Sequence, residues 1–163
     1  MADTDRKWES YTETILEFFA DPDGDAAPAV RIDLRADPPA WVPPALAAIG
    51  LDEPFGVFTA ENPCGENVED APSGGEAARR ASINAARRDG LEAALGEIGV
   101  RWTRVDGVAP DGSYREHCVA AVVRLDAAAE LARALDQLAL FWFDGRRFWL
   151  LPAEAEEPPR PLP

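Results

Sequence analysis

Phe55-Gly56-Val57-Phe58-Thr59-Ala60-Glu61-Asn62-Pro63 is the stretch on which the fold turns. An aromatic and β-branched run bounded by turn residues reads as a strand from Phe55 to Ala60. It empties into a polar loop, Glu61 to Gly75, that carries Gly65, Pro72, Gly74 and Gly75. A long helical pattern follows from Glu76 to Ile98, with Gly99 just past its end, where helices favour glycine. Gly90 and Gly96 weaken that helix by about 1 kcal/mol each relative to alanine.

Towards the N terminus, residues Asp37 to Pro54 form a proline-stiffened connector with one helical turn around Pro44 to Ile49. Val30-Arg31-Ile32-Asp33-Leu34 alternates apolar and charged residues and reads as a half-buried strand. Before the Asp21-Pro22-Asp23-Gly24-Asp25 loop, Thr4 is placed to cap a first helix with Trp8, Tyr11, Ile15, Phe18 and Phe19 at helical spacing. Towards the C terminus, Val100 to Val108 and Glu116 to Leu125 read as strands joined by Ala109-Pro110-Asp111-Gly112-Ser113. His117 to Val123 is apolar on both faces apart from His117, which places it centrally in the sheet. Asp126 is positioned to cap a helix carrying Ala128, Leu131, Leu135 and Leu138. Two apolar runs, Leu140 to Phe143 and Arg146 to Leu151, flank Asp144-Gly145, a type I′ hairpin signal. That register sets Trp142 opposite Arg147, with Trp149 close enough for a cation–π contact.

The expected order is α-β-β-α-β-β-α-β-β: a single α+β domain over residues 1–153, with a mixed β-sheet and helices packed on it. An acidic, proline-rich tail over residues 154–163 is expected to be disordered. A chain of 163 residues that is 47% apolar with five tryptophans can fill one core. Its formal charge of -14 argues against nucleic-acid binding, since phosphate contacts need basic surface. No segment approaches the ~18 uninterrupted apolar residues of a membrane span. Met1-Ala2-Asp3-Thr4-Asp5 lacks the basic start and apolar run of a secretion signal. The expectation is a soluble cytoplasmic protein that engages neither nucleic acid nor membrane, with its oligomeric state left open. Cys64 and Cys118 form no C-x-x-C pair and are expected to be reduced, although their spacing does not exclude a disulfide.

The long helix carries the first hint of a site. Positions 77, 81, 84, 88, 91, 95 and 98 share one stripe, occupied by Ala, Ala, Asn, Arg, Leu, Leu and Ile. A buried amide without partners costs on the order of 1–3 kcal/mol, so Asn84 needs Thr59, Glu61 or Asn62 from the loop. Either Asn84 ties down loop carbonyls, or Asn84 and Asn62 line a ligand pocket. Glu116, at the start of a central strand, either forms a salt bridge with Arg115, Arg88 or Arg80 or is a partly buried carboxylate fit for general-base work. Gln137 ends a helix and either caps the turn or joins the same cluster. His117 and Cys118 are adjacent on a strand and point to opposite faces, so they cannot share a site, though Cys64 and His117 can meet through folding. One histidine and two scattered cysteines fall short of zinc's usual four ligands. Glu66, Glu69 and Asp70 lack calcium-loop spacing, and neither a phosphate-cradling glycine loop nor a nucleophile elbow is present. No metal and no cofactor are expected.

Thr59-Ala60-Glu61-Asn62-Pro63, Asn84 seven residues before Leu91, Arg115-Glu116, and Asp136-Gln137-Leu138-Ala139 running into Phe141-Trp142 together resemble the bacterial domain-of-unknown-function family 3293. The resemblance covers roughly Phe55 to Leu151, with a weaker fit from Tyr11 to Leu34. Glu61 stands where the family commonly has an aromatic, and His117-Cys118 where it has a proline and a small residue. The family carries no established activity. The resemblance implies a residue set, namely Thr59, Asn62, Asn84, Glu116 and Gln137, as candidate ligand-binding residues. The function expected is a binding or protein-interaction module with a polar Asn/Glu/Gln cluster, its partner a small polar ligand or a protein. The alternative is a small enzyme using Glu116 as general base on a polar small molecule. A third reading has a protein partner docking through the aromatic hairpin or the acidic loop, and the hairpin form would require Trp142, Phe148 and Trp149 to form an exposed patch.

Overall fold

The computed structural model describes residues 8–21, 26–63, 67–68, 70–154 and 157–163. Along the chain run a helical segment at 8–12 (α1), β1 Ile15–Phe18, β2 Val30–Asp33, α2 Val42–Ala48, β3 Phe55–Phe58 and α3 Gly74–Glu97. They are followed by β4 Trp102–Val108, β5 Arg115–Ala121, α4 Leu125–Ala134, β6 Ala139–Phe143, β7 Phe148–Pro152 and β8 Arg160–Pro161. The strands form one sheet in the order β2-β1-β4-β5-β3-β6-β7-β8.

Every ladder in that sheet is antiparallel, which corrects the expected mixed sheet. Helix α3 joins two strands of like direction, β3 and β4, but β5 inserts between them and pairs with both. In the same way α4 joins β5 to β6, and β3 lies between those two. The α+β class holds and β5 is central, as its apolar run predicts.

Both faces of the sheet are covered. One packs Leu16, Phe18, Phe55, Val57 and Phe148 against Trp8 of α1 and Val42 and Leu46 of α2. The other packs Phe58, Val119, Leu140 and Trp142 beneath Leu91 and Leu95 of α3 and Ala128 and Ala132 of α4. Gly56 permits the approach of α4, since a Cβ there would stand 3.3 Å from the Ala128 Cβ and 3.1 Å from the Phe58 ring.

Several elements differ from the sequence expectation. Helix α1 stops at residue 12, where the Thr12 and Thr14 hydroxyls donate back to the Glu9 and Ser10 carbonyls at 2.8 and 3.1 Å. Ile15 and Phe18, read as helical, belong to β1, which pairs between β2 and β4. A strand covered on both faces loses its period-two alternation, and two apolar residues three apart then imitate a helix stripe. The proline-rich connector holds a full helix, α2, with proline in its first turn. Arg124, not Asp126, is the N-cap of α4; Asp126 sits in the first turn and accepts from the Ala127 N–H at 3.0 Å. Ile98 follows the last turn of α3 as its C-cap and is 70% exposed.

The aromatic hairpin turns one residue later than expected, so that Trp142 pairs with Trp149 and Phe143 with Phe148. The Asp144 carboxylate sets this turn by accepting the Arg146 and Arg147 N–H groups at 2.8 and 3.0 Å and the Trp149 indole N–H at 2.8 Å. Arg147 reaches Asp37 at 3.9 Å and does not stand opposite Trp142. The tail expected to be disordered returns to the sheet: Arg160–Pro161 pairs with Trp149 and Leu150, and Leu162 is buried. Thr4, residues 22–25, Cys64, Gly65, Glu66 and Glu69 lie outside the described residues. Among the described residues, no helix is long and apolar enough to cross a membrane.

Candidate functional site

The loop leaving β3 is fastened one residue at a time. Thr59 Oγ1 donates to the His117 carbonyl of β5 at 2.7 Å and accepts the Glu61 N–H at 2.9 Å, which ties the start of the loop to the sheet. Asn62 adopts a left-handed conformation (φ 49°), which asparagine tolerates better than most L residues. Because Pro63 follows, that conformation is further disfavoured. Strain of this kind costs on the order of 1–3 kcal/mol and persists where neighbours over-determine it.

Asn84 of α3 supplies that over-determination. Its Oδ1 accepts the Asn62 backbone N–H at 2.9 Å, and its Nδ2 donates to Asn62 Oδ1 at 2.8 Å. With its oxygen so engaged, Asn62 presents Nδ2 to Glu116 Oε1 at 2.7 Å and to the Tyr114 hydroxyl at 3.1 Å. From the turn after α4, Gln137 Nε2 donates to the Glu61 carbonyl at 2.9 Å. Arg87 braces the same loop through the Ala60 carbonyl at 2.6 Å, and Arg88 through the Glu61 carboxylate at 3.2 Å. Thr59, Asn62, Asn84, Glu116 and Gln137 therefore converge on one loop, though not in equal roles. Asn84 fixes the loop through the Asn62 N–H and side-chain oxygen, and not through loop carbonyls as one of its two sequence readings has it.

Thr59, Asn62, Glu116 and Gln137 also line a cavity of about 420 Å³, together with Tyr11, Tyr114, Cys118 and Phe141. Asn84 is not among the lining residues and acts on the cavity through Asn62. Tyr11 and Tyr114 are the only tyrosines in the chain, so its whole tyrosine content faces this one space. Tyr11 meets Phe141 edge-on, with ring centroids 6.0 Å apart.

The arginines proposed as ion-pair partners of Glu116 have other commitments. Arg115 pairs with Asp106 at 2.7 Å and Glu17 at 2.9 Å. Arg80 holds Glu76 at 3.1 Å and the Asn67 carbonyl at 2.7 Å, while Arg88 holds Glu61. Burial, helped by the Glu116 charge, pushes the Tyr11 phenol up to about 12. Burial likewise holds the Tyr114 phenol well above its ordinary value, with Glu116 adding to the effect and Asn62 opposing it. Cys118 is a buried free thiol whose ionisation is also pushed well up, first by burial and then by Glu116, so it stays protonated and is a poor nucleophile. His117 lies on the opposite face, with Nε2 2.8 Å from Glu92 of α3. The Cys64–Cys118 and Cys64–His117 pairings fall outside the described residues.

Sequence reasoning missed both tyrosines. Tyr114 was legible, because it stands two residues before Glu116 and a strand period of two puts them on one face. Tyr11 was read as one more apolar position on a helix stripe, and nothing local marks its hydroxyl as part of a site.

No curated protein and no solved structure matches this chain. The family described as "Protein of unknown function (DUF3293)" matches residues 58–140, from the end of β3 through α3, β4, β5 and α4 into β6. Thr59, Asn62, Asn84, Tyr114, Glu116 and Gln137 all fall inside that span, which is just over half of the sequence, and the chain belongs to the DUF3293 family.

Proposed function

We propose that this protein is a binding module for a small polar molecule held between α1, the loop after β3 and the start of β5. The observation that carries this reading is the shared cavity. Both tyrosines and four of the five sequence-derived candidates, Thr59, Asn62, Glu116 and Gln137, line one space of about 420 Å³. That size falls within the ~300–1,000 Å³ usual for small-molecule sites. Amides and hydroxyls both donate and accept, which suits hydrogen-bond recognition better than bond breaking. Asn62 is the pivot, and Asn84 keeps it in place at a backbone angle it would not hold alone.

The protein-docking form of the reading has less behind it. Trp142 and Phe148 are only 8% and 1% exposed, and Trp149 is half-buried, so the hairpin offers no broad aromatic patch. The enzymatic alternative keeps one supporting observation, that the Glu116 carboxylate faces the cavity beside the Tyr114 phenol. Screening small polar metabolites by thermal shift tests these readings together. A binding module is expected to gain stability from a compound, and Asn84→Ala should abolish that gain. Turnover that disappears in Glu116→Gln while the thermal shift survives would favour the enzyme. A protein that no compound stabilises, with Asn84→Ala lowering only the melting temperature, would reduce the cluster to a structural network.

A further inference from the structure

The side chains of the cavity wall have spent their hydrogen-bond donors unevenly. Thr59 Oγ1 donates to the His117 carbonyl, and Asn62 Nδ2 is divided between Glu116 and Tyr114. Gln137 Nε2 likewise serves two carbonyls, Glu61 at 2.9 Å and Leu135 at 3.3 Å. The Tyr114 hydroxyl accepts from Asn62 and reaches Asn67 Oδ1 at 3.5 Å. A hydroxyl has one proton to give and an amide two, so these four side chains are occupied in holding the wall together. Tyr11 differs, because among the described residues its hydroxyl enters no hydrogen bond. Its ring is nevertheless held in place, packed on Trp8 with centroids 5.8 Å apart and on Phe141 at 6.0 Å. Burial pushes the phenol up to about 12, so the oxygen keeps its proton and acts as a donor. A largely buried donor without an acceptor is costly, and here it opens on a space that can admit one. Around it the wall is apolar, formed by the buried Val57, Val108, Cys118 and Phe141.

We infer that Tyr11 is the residue that anchors the ligand, its hydroxyl donating to the carbonyl oxygen of a small ring compound whose body packs on Val57, Val108 and Phe141. This rests on the binding-module reading and adds to it the residue that meets the ligand and the group it meets. The candidates taken from the sequence build the cavity, and the contact that selects its occupant comes from α1. A neutral hydrogen bond of this kind is expected to contribute about 3- to 10-fold in affinity.

Ketones paired with the hydrocarbons that lack their oxygen test it: acetophenone with ethylbenzene, cyclohexanone with cyclohexane, and cyclopentanone with cyclopentane. Binding is followed on the protein labelled with ¹³C at the tyrosine Cζ, the carbon that carries the hydroxyl, with Tyr11→Phe assigning the two signals. A ketone is expected to move the Tyr11 signal, and Tyr11→Phe, which removes only the oxygen, should weaken that ketone by about 3- to 10-fold. The paired hydrocarbon should bind the variant as it binds the unaltered protein. Equal weakening of ketone and hydrocarbon would reduce Tyr11 to a packing surface and overturn the assignment. A ketone that moves Tyr114 and leaves Tyr11 unmoved would also overturn it, with the binding site left standing. If no member of any pair moves either tyrosine, both the assignment and the site are wrong. The signals of the unaltered protein decide between these outcomes even if Tyr11→Phe fails to fold.

Discussion

Asn62 concentrates the chemistry of this protein in one strained residue. Its left-handed backbone aims its Nδ2 at Glu116 and Tyr114, and Asn84 holds both its N–H and its Oδ1. Asn84→Ala removes two buried hydrogen bonds and strands the Asn62 N–H, so urea denaturation should show a loss of about 2 kcal/mol. A change under about 0.5 kcal/mol, the size of an ordinary surface substitution, would mean that the loop does not depend on Asn84. The tyrosines give a second prediction. Folded Tyr11 ionises at about 12 against an ordinary 10.0, so its contribution to stability is complete below pH 10 and is lost as pH climbs through 12. Near-ultraviolet tyrosinate absorbance should therefore stay low above pH 10 until the protein unfolds. In Glu116→Gln it should rise at lower pH, because a negative neighbour has been removed. Asn84 was legible in the sequence because a polar residue on an apolar stripe demands partners. The division of labour between Asn84 and Asn62 was not, because it depends on which atoms meet.

Helix α3 shows how elements position that residue and what they leave unoptimised. Leu91 and Leu95 bury one face of it against the sheet, while Gly90 and Gly96 are exposed. A Cβ added at either glycine would meet nothing within 4 Å, so Gly90→Ala and Gly96→Ala should each stabilise the protein by about 0.5–1 kcal/mol. Gly99→Ala should destabilise it, since Gly99 sits at φ +69°. Thermal melts of the three variants decide this. At the other end of the sheet, Leu162 is buried beside the short strand β8, and Leu162→Ala is expected to cost about 2 kcal/mol or more. No measurable loss would show that the C-terminal residues are not part of the folded unit. Strands bounded by turn residues were readable in place but not in extent: β2, β3 and β4 fall within their expected runs, whereas the run read as a strand from Glu116 to Leu125 stops at Ala121 and its last residue starts α4, which itself ends at Ala134, before Leu135 and Leu138. β1 was not readable, because its four buried residues carry no alternation, and β8 was hidden in an acidic, proline-rich composition that reads as disorder.

At the scale of the molecule, strand order makes the site. Inserting β5 between β3 and β4 brings Tyr114 and Glu116 beside the loop that leaves β3, and β6 on the far side of β3 brings Gln137 and Phe141. Helix α1 then supplies Tyr11 from more than forty residues upstream of that loop. The sequence carried the membership of the cluster through its motifs, but strand order is set by long-range pairing that no local window contains. This is why the five residues could be named while their convergence, the cavity and its aromatic wall could not be read. The cavity is proposed to bind a small polar molecule. The most direct measurement is the spectrum of the ¹³C-tyrosine-labelled protein, which has only two residues to follow, during addition of small polar metabolites. A compound that stabilises the protein should shift both tyrosines, and Asn84→Ala should remove the response. Stabilising compounds that leave both tyrosines unmoved, or a complete set of metabolites that moves neither, would contradict it.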